Sequence, residues 1–250
     1  MKQQSIDAYD LPQRVASYDA DMEVMHPNRS KMVRVALQIL PHLRSAPLRA
    51  LDLGVGTGYF TKQFLDHFPN SRVVAIDGAK LMADLARTRL GVSASRVDFR
   101  IGDFRNLKLI AAGSPAMDVI FSSYALHHLN RADKKAVIDQ AIDLLQPGGW
   151  FINADLIVAD SPEMERRIQE VRVNGIVERV GGTDERFRDT VTTRRFLDEL
   201  EANEGDQPLT LLADLEILRS AGLQNASAWW LEFRELVYGG QKEGRLNAIR

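Results

Sequence analysis

Cysteine is absent from the 250-residue sequence. Disulfides, thiolate metal sites and cysteine nucleophiles are therefore excluded. No run approaches the roughly 18–20 apolar residues needed to span a bilayer. Residues 1–13 are polar and lack the apolar centre of a secretory signal. A cytoplasmic location without a membrane partner is the simplest expectation. A basic excess is missing too: 32 Lys and Arg stand against 34 Asp and Glu, for a net charge of -2. Nucleic-acid binders usually carry a basic footprint, so a nucleic-acid partner is disfavoured. Internal repeats and low-complexity tracts are also lacking. What is present is an ordinary globular composition, 45% hydrophobic and 26% charged, at a length that fits one α/β domain with an elaboration.

The middle of the chain alternates strand-like and helix-like segments. Residues 49–53 are a short apolar run ending in glycines and read as a buried first strand. Phe60, Phe64 and Phe68 then recur at helical spacing. Residues 72–76, 97–101 and 116–122 read as the next three strands. Leu81, Met82, Leu85 and Ala86 stripe the helix after the second, with Gly91 as its stop. Asn130 can cap a helix whose inner face is Val137, Ile138, Ala141, Ile142 and Leu145. Pro147-Gly148-Gly149 reads as a turn before a fifth strand at 150–154. Such a rhythm implies parallel βαβ units with helices on both faces of a doubly wound α/β sheet.

After residue 155 the pattern changes. A helix starts at Ser161-Pro162-Glu163 and stops at Gly181-Gly182, and another covers 194–202. The mixed charges of 156–208 suit a solvated helical lid better than a nucleic-acid arm. Arg166, Arg167, Arg172 and Arg179 are candidates for contacting a substrate carboxylate, although most should face solvent. A helix over 211–221, closed by Gly222, leads into two strands, 226–232 and 235–241, whose short connection predicts an antiparallel hairpin. Adjacent strand residues face opposite sides, so only one of Trp229 and Trp230 can face any one pocket, and core packing is the default for both.

The strongest chemical signal is Leu51-Asp52-Leu53-Gly54-Val55-Gly56-Thr57-Gly58-Tyr59, at a strand–helix junction. Glycines there let the chain turn sharply and let a ligand approach the backbone. A dinucleotide site needs G-x-G-x-x-G, but here the third glycine comes one position early. Asp52 would also repel a pyrophosphate and attract an amine. S-adenosylmethionine has no phosphate and carries an ammonium group, so D-x-G-x-G-x-G suits it better. Asp77, at the second strand end, follows at the distance where an acidic side chain can grip ribose hydroxyls. Gly102-Asp103-Phe104, after the third strand, offers the Asp103 carboxylate to the adenine amino group and the Phe104 amide to the ring. In a doubly wound sheet these strand ends share one crevice.

The stretch from Ala50 to Asp155 resembles the core of class I S-adenosylmethionine-dependent methyltransferases of the small-molecule type. The likeness rests on LDLGVGTG, the acidic end of the second strand, GDF, MDVIFSSYALHHL and LLQPGGWFINAD. It implies a Rossmann-like sheet of seven strands with the last antiparallel. It places Asp52 and Gly54 to Gly58 (Gly54, Gly56 and Gly58 being the glycines) by the methionine part, Asp77 on ribose, Asp103 on adenine and Ser122 beside the cofactor. Gly78 departs from the family, which commonly has an apolar residue there against adenine. The chain thus reads as a single domain: an N-terminal helical cover over 1–45 that includes Tyr18 as a cofactor contact, a cofactor-binding core over 46–155, a helical insert over 156–208, and a last helix and hairpin over 209–250.

The expected activity is methyl transfer from S-adenosylmethionine to a small-molecule acceptor. His127 and His128 follow the fourth strand, where such an acceptor meets the sulfonium. A neutral histidine there can take a proton, and His127, nearer the loop, is the candidate catalytic base. No carboxylate accompanies the pair at a recognisable ligand spacing, so no metal is expected. Two other readings stand beside this one. A synthase of carboxy-S-adenosylmethionine for tRNA modification would need an arginine on the helix before the hairpin, where Ile217 falls instead and Arg219 lies on another side. A non-catalytic cofactor-binding protein would carry the same core motifs. The acceptor and the oligomeric state, a homodimer included, are left open by the sequence.

Overall fold

The computed structural model describes residues 3–244. Its centre is a seven-stranded sheet in the order β3-β2-β1-β4-β5-β7-β6. The strands are β1 (Arg49–Leu53), β2 (Arg72–Asp77), β3 (Val97–Ile101), β4 (Met117–Ser123), β5 (Leu145–Leu156), β6 (Leu223–Glu232) and β7 (Glu235–Lys242). β1 to β5 pair in parallel, and β7 runs antiparallel to both β5 and β6. The chain winds from β1 out to β3 and returns to β4 beside β1. That reversal opens a crevice at the carboxyl ends of β1 and β4.

The helices are α1 (Gln3–Tyr9), α2 (Pro12–Met25), α3 (Arg29–Gln38), α4 (Tyr59–His67), α5 (Lys80–Leu90), the single turn α6 (Leu107–Ile110), α7 (Arg131–Leu144), α8 (Pro162–Val180), α9 (Thr190–Glu204) and α10 (Leu211–Ser220). Their ends follow local chemistry. Asn130, Ser161, Asp189 and Thr210 accept backbone N–H bonds as N-caps of α7, α8, α9 and α10. Gly181 ends α8 in the left-handed conformation. One face of the sheet buries α3, α4 and α5 in a core with Phe64, Phe121 and Ile152. The opposite face buries α6, α7 and α10 around Phe104, Phe151 and Leu218. A smaller apolar cluster, including Val173, Ile176, Phe187 and Leu197, holds α8 to α9 and takes in Met25 of α2. Among the described residues no helix is long and apolar enough to cross a membrane.

Three local expectations change. Leu145, expected on the inner face of α7, instead opens β5 and pairs with Met117. Pro147-Gly148-Gly149 lies within β5 as a bulge, because the register passes from Met117↔Leu145 directly to Val119↔Trp150. β6 begins at Leu223, three residues early, and Asn225 takes a left-handed φ of 55° at a break in its register. Both tryptophans pack: the Trp229 ring lies 6.2 Å from that of Trp150, and Lys31 Nζ lies 4.8 Å from the Trp230 ring centre.

Candidate functional site

The loop after β1 turns three times through left-handed backbone, at Gly54, Gly56 and Gly58. Two of these glycines are also required by close approach. A Cβ on Gly54 would stand 2.5 Å from Ala125 Cβ, and one on Gly58 would stand 2.9 Å from Ala86 Cβ. Asp77, at the end of β2, ties the loop down: Gly56 N–H donates to its Oδ2 at 2.8 Å and Ala79 N–H to its Oδ1 at 2.8 Å. Asp52 accepts from Thr61 Oγ1 at 2.5 Å. Burial raises both carboxyls, Asp52 to about 7 and Asp77 to about 6, despite those hydrogen bonds. Such groups gain by facing a cation or hydroxyl donors.

A cleft of about 660 Å³, open solvent included, lies over this loop. Tyr18, Asp52, Gly54, Gly56, Asp77 and Phe104 line it as the sequence suggests, and the structure adds Tyr9, Arg29, Tyr124, Ala125 and His128. Four expected residues do not line it. Gly58 is turned onto Ala86 as the start of α4. The Ser122 hydroxyl donates to Leu53 O at 2.7 Å, so it ties β4 to β1, and the next residue, Ser123, meets the cleft. Asp103 accepts from Arg105 N at 2.9 Å and from its guanidinium at 2.7 Å and 2.6 Å. Gly78 lies under Ile6: a Cβ there would stand 2.7 Å from Ile6 Cγ1. The missing side chain at Gly78 is thus matched by an apolar one from α1.

α1 and α2 cover the cleft through specific bonds. Leu81 N–H at the start of α5 donates to Asp10 Oδ1 at 2.7 Å. Asp19 accepts from Thr57 Oγ1 at 2.9 Å and Arg29 Nη1 at 2.8 Å, and pairs with Arg89. The Arg14 guanidinium lies over the rings of both Tyr9 and Tyr18.

Behind those rings is a second cavity of about 380 Å³, open solvent included. Tyr9, Tyr18 and Tyr124 belong to both cavities, and Arg14, His127, Arg172, Glu201, Glu204 and Asp206 give the second one a charged lining. Tyr124 holds a left-handed φ of 48°, a position that costs a non-glycine residue about 1–3 kcal/mol. Its hydroxyl donates to Glu235 Oε1 at 2.7 Å. The insert arginines separate by role. Arg172 is buried against Glu201, Arg179 Nε donates to Val24 O at 2.9 Å, and exposed Arg167 pairs with Glu170. Arg166 lines an open groove between α8 and α9.

The two histidines divide between the cavities, His128 on the first and His127 on the second. His127 Nδ1 lies 2.6 Å from Asp155 Oδ1, and its Nε2 lies 3.5 Å from Asp206 Oδ1. Burial alone would lower the His127 pKa, but the Asp155 and Asp206 carboxylates outweigh it and raise it to about 10. The two carboxylates thus hold this ring toward its charged form, whereas the expected base is a neutral imidazole. Burial and the neighbouring His127 charge push His128 the other way, toward the neutral form. Sequence spacing gives no sign of Asp206, because it reaches the histidines only through the fold of the insert.

A doubly wound sheet with one antiparallel strand, and a glycine loop between two strand-end carboxylates, define the class I methyltransferase fold. A family model described as a methyltransferase domain matches residues 50–149. An uncharacterized methyltransferase of Geobacillus kaustophilus is 31% identical over 182 residues, 73% of this chain and 74% of that protein. One from Anoxybacillus flavithermus is 33% identical over 128 residues, 51% of this chain and 56% of that one. The structure of an O-methyltransferase family protein from Burkholderia thailandensis superposes with a TM-score of 0.65 at 19% identity, covering 95% of this chain and 62% of that one. The chain belongs to the S-adenosylmethionine-dependent methyltransferase family.

Proposed function

We propose that this protein transfers a methyl group from S-adenosylmethionine to a polar small molecule held in the second cavity. The observation that carries the reading is the aromatic wall of Tyr9, Tyr18 and Tyr124, which borders both cavities. A donor on one side and an acceptor on the other would meet there. Asp52 suits the ammonium group, Asp77 the ribose hydroxyls, and Phe104 with Ala125 the adenine. When bound, S-adenosylmethionine supplies a methyl carbon whose bond to sulfur breaks, leaving its electron pair on sulfur, as the acceptor atom bonds to it. The chain's own work is to align the partners and exclude water. α1 and α2 close the outer side, and the Tyr9, Tyr18 and Tyr124 rings stand between the two cavities. His127 lies on the acceptor side as a positioning group, its ring fixed by Asp155. On α10, Ile217 is buried and Arg219 is exposed, and neither is among the residues lining the two cavities, which does not favour a site for a cofactor carboxylate there.

S-adenosylhomocysteine formation across a panel of polar hydroxyl, amine and carboxyl compounds tests the reading. At least one should react. Leu200→Trp, which fills the second cavity, should then reduce turnover about tenfold or more while calorimetric cofactor affinity stays within about twofold. Unchanged acceptor kinetics in that variant would place the acceptor elsewhere. Tight cofactor binding with no turnover across the panel would favour a non-catalytic binding protein.

A further inference from the structure

We infer that His127, His128 and Asp206 form a binding site for a divalent transition-metal cation of the zinc type, in the wall between the two cavities. Three donor atoms converge: His127 Nε2, His128 Nδ1 and Asp206 Oδ1 lie within 4.8 Å of one another. Asp206 Oδ1 is 2.9 Å from His128 Nδ1 and 3.5 Å from His127 Nε2. Zinc bonds of about 2.0–2.2 Å to nitrogen and oxygen require neighbouring ligand atoms about 3.3–3.5 Å apart in a tetrahedron. The Asp206–His127 edge already matches, the Asp206–His128 edge has to open by a few tenths of an ångström, and the edge between the two imidazoles, which lies within 4.8 Å, has to come to the same length.

A bound cation would take the place of the proton that His127 Nε2 holds toward Asp206. His128 Nδ1 and Asp206 Oδ1 are buried atoms that make no aligned hydrogen bond, although they stand close together. The His128 side chain is 2% exposed and that of Asp206 9%. Coordination would give both atoms the partner that burial denies them.

The surroundings match what holds a metal-ligating histidine in place. The far nitrogen of His127 faces the Asp155 carboxylate at 2.6 Å. Asp155 in turn accepts from Leu156 N–H at 2.9 Å, His127 N–H at 3.1 Å and Asn153 Nδ2 at 3.1 Å. Such an outer carboxylate fixes the ring orientation and raises the basicity of the coordinating nitrogen. The two chain segments that supply the donors are tied together as well: Gln207 N–H donates to His127 O at 2.7 Å, and Gln207 Nε2 to His128 O at 3.2 Å.

Charge and ligand type select the ion. Asp155 and Asp206 carry two negative charges, which one dication balances. Two imidazoles and one carboxylate suit zinc, cobalt or iron, whereas magnesium prefers oxygen ligands throughout. Three protein ligands leave at least one coordination position open, as in catalytic rather than structural zinc sites. That position would serve an acceptor oxygen beside the Tyr124 wall. This use rests on the proposed acceptor cavity, whereas the metal site itself does not.

The test is cobalt(II) titration of the full chain after chelator treatment, read by visible absorption, with zinc stoichiometry by calorimetry. The wild type should bind a single equivalent and show the intense visible bands of low-coordinate cobalt. Asp206→Asn and His128→Ala should each weaken binding by about a hundredfold or more, and Asp155→Asn by about 10- to 100-fold. Circular dichroism and urea unfolding confirm that each variant is folded. If a variant fails that check, His128→Gln replaces it. No cobalt bands in the wild type would overturn the inference and leave Asp206 as an acceptor for two histidines. Binding unaffected by the ligand variants would overturn it too. Because activity is not read, neither result bears on methyl transfer itself.

Discussion

Asp77 accepts two backbone N–H bonds and is still buried deeply enough to titrate near pH 6. An unfolded aspartate titrates near 3.9. Its folded pKa is raised, so the folded apoprotein binds more protons than the unfolded chain between about pH 4 and 6, and this residue's contribution to stability falls as pH rises through that window. Cofactor binding has the opposite sign, because the ionised carboxylate is the better acceptor for ribose hydroxyls. S-adenosylhomocysteine affinity should therefore weaken about tenfold from pH 7 to pH 5. Asp77→Asn should weaken it about tenfold to a hundredfold at pH 7.5, the loss expected for hydrogen bonds to a charged group, and should reduce the pH dependence to the share that Asp52, raised to about 7 in the same cleft, contributes. Calorimetry at both pH values measures this, and a variant that kept wild-type affinity and pH dependence would remove Asp77 from the site. Asp52, Asp77 and the glycines were legible because strand ends and backbone turns are local. Tyr124 was not: it reads as one apolar residue among several, and only its left-handed backbone and its bond to Glu235 mark it out. Ser122 and Ser123 differ by one step along β4, which decides between a strand tie and the cleft.

Between elements, a fully buried ion pair joins Lys134 on α7 to Asp214 on α10. Lys134 Nζ donates to Asp214 Oδ1 at 2.9 Å, and both side chains are fully buried. This pair fixes how α7 and α10 sit together over one face of the sheet. Nearby, Asn153 Nδ2 donates to Tyr238 Oη at 2.9 Å and to Asp155, which connects the same face to His127. Lys134→Met keeps the volume and deletes the charge, leaving Asp214 buried without a cation. It should cost about 3–5 kcal/mol, while Lys134→Met with Asp214→Leu should recover most of that. Urea unfolding of both variants measures the difference, and a single variant as stable as wild type would show that Asp214 is held by other groups. The helices themselves were readable from caps and stops such as Asn130, Ser161, Gly181 and Gly222. The bulge at Pro147-Gly148-Gly149 was not, because the same residues serve a turn or a bulge and the partner strand makes the choice.

Across the whole molecule, the N-terminal helices and the insert act as one cap. α1 packs on α9 and α2 on α8, and Arg14 joins them at a single point. Its guanidinium reaches Glu204 at the end of α9 at 2.7 Å and Asp21 of α2 at 3.1 Å. It also lies 5.6 Å and 5.1 Å from the ring centres of Tyr9 and Tyr18, the wall common to both cavities. The sequence separates a cover from a lid because the two lie at opposite ends of the chain, and only the packing brings them together. Arg14→Ala should therefore loosen distant segments at once. It leaves Glu204 buried without its cation, whereas Asp21 keeps Arg186 and Ser17. The strain should be released by opening the cap rather than the sheet, since among the described residues the guanidinium bonds to Asp21 of α2 and Glu204 of α9 and not to β1 to β5. Amide exchange should accelerate together in 3–9 and 190–204, by about a hundredfold for roughly 2.7 kcal/mol of lost cap stability. Exchange in β1 and β4 should be unchanged, and cofactor release should quicken. Faster exchange confined to α2 would mean that cover and insert open separately, and uniform acceleration through the sheet would mean that Arg14 supports global folding instead.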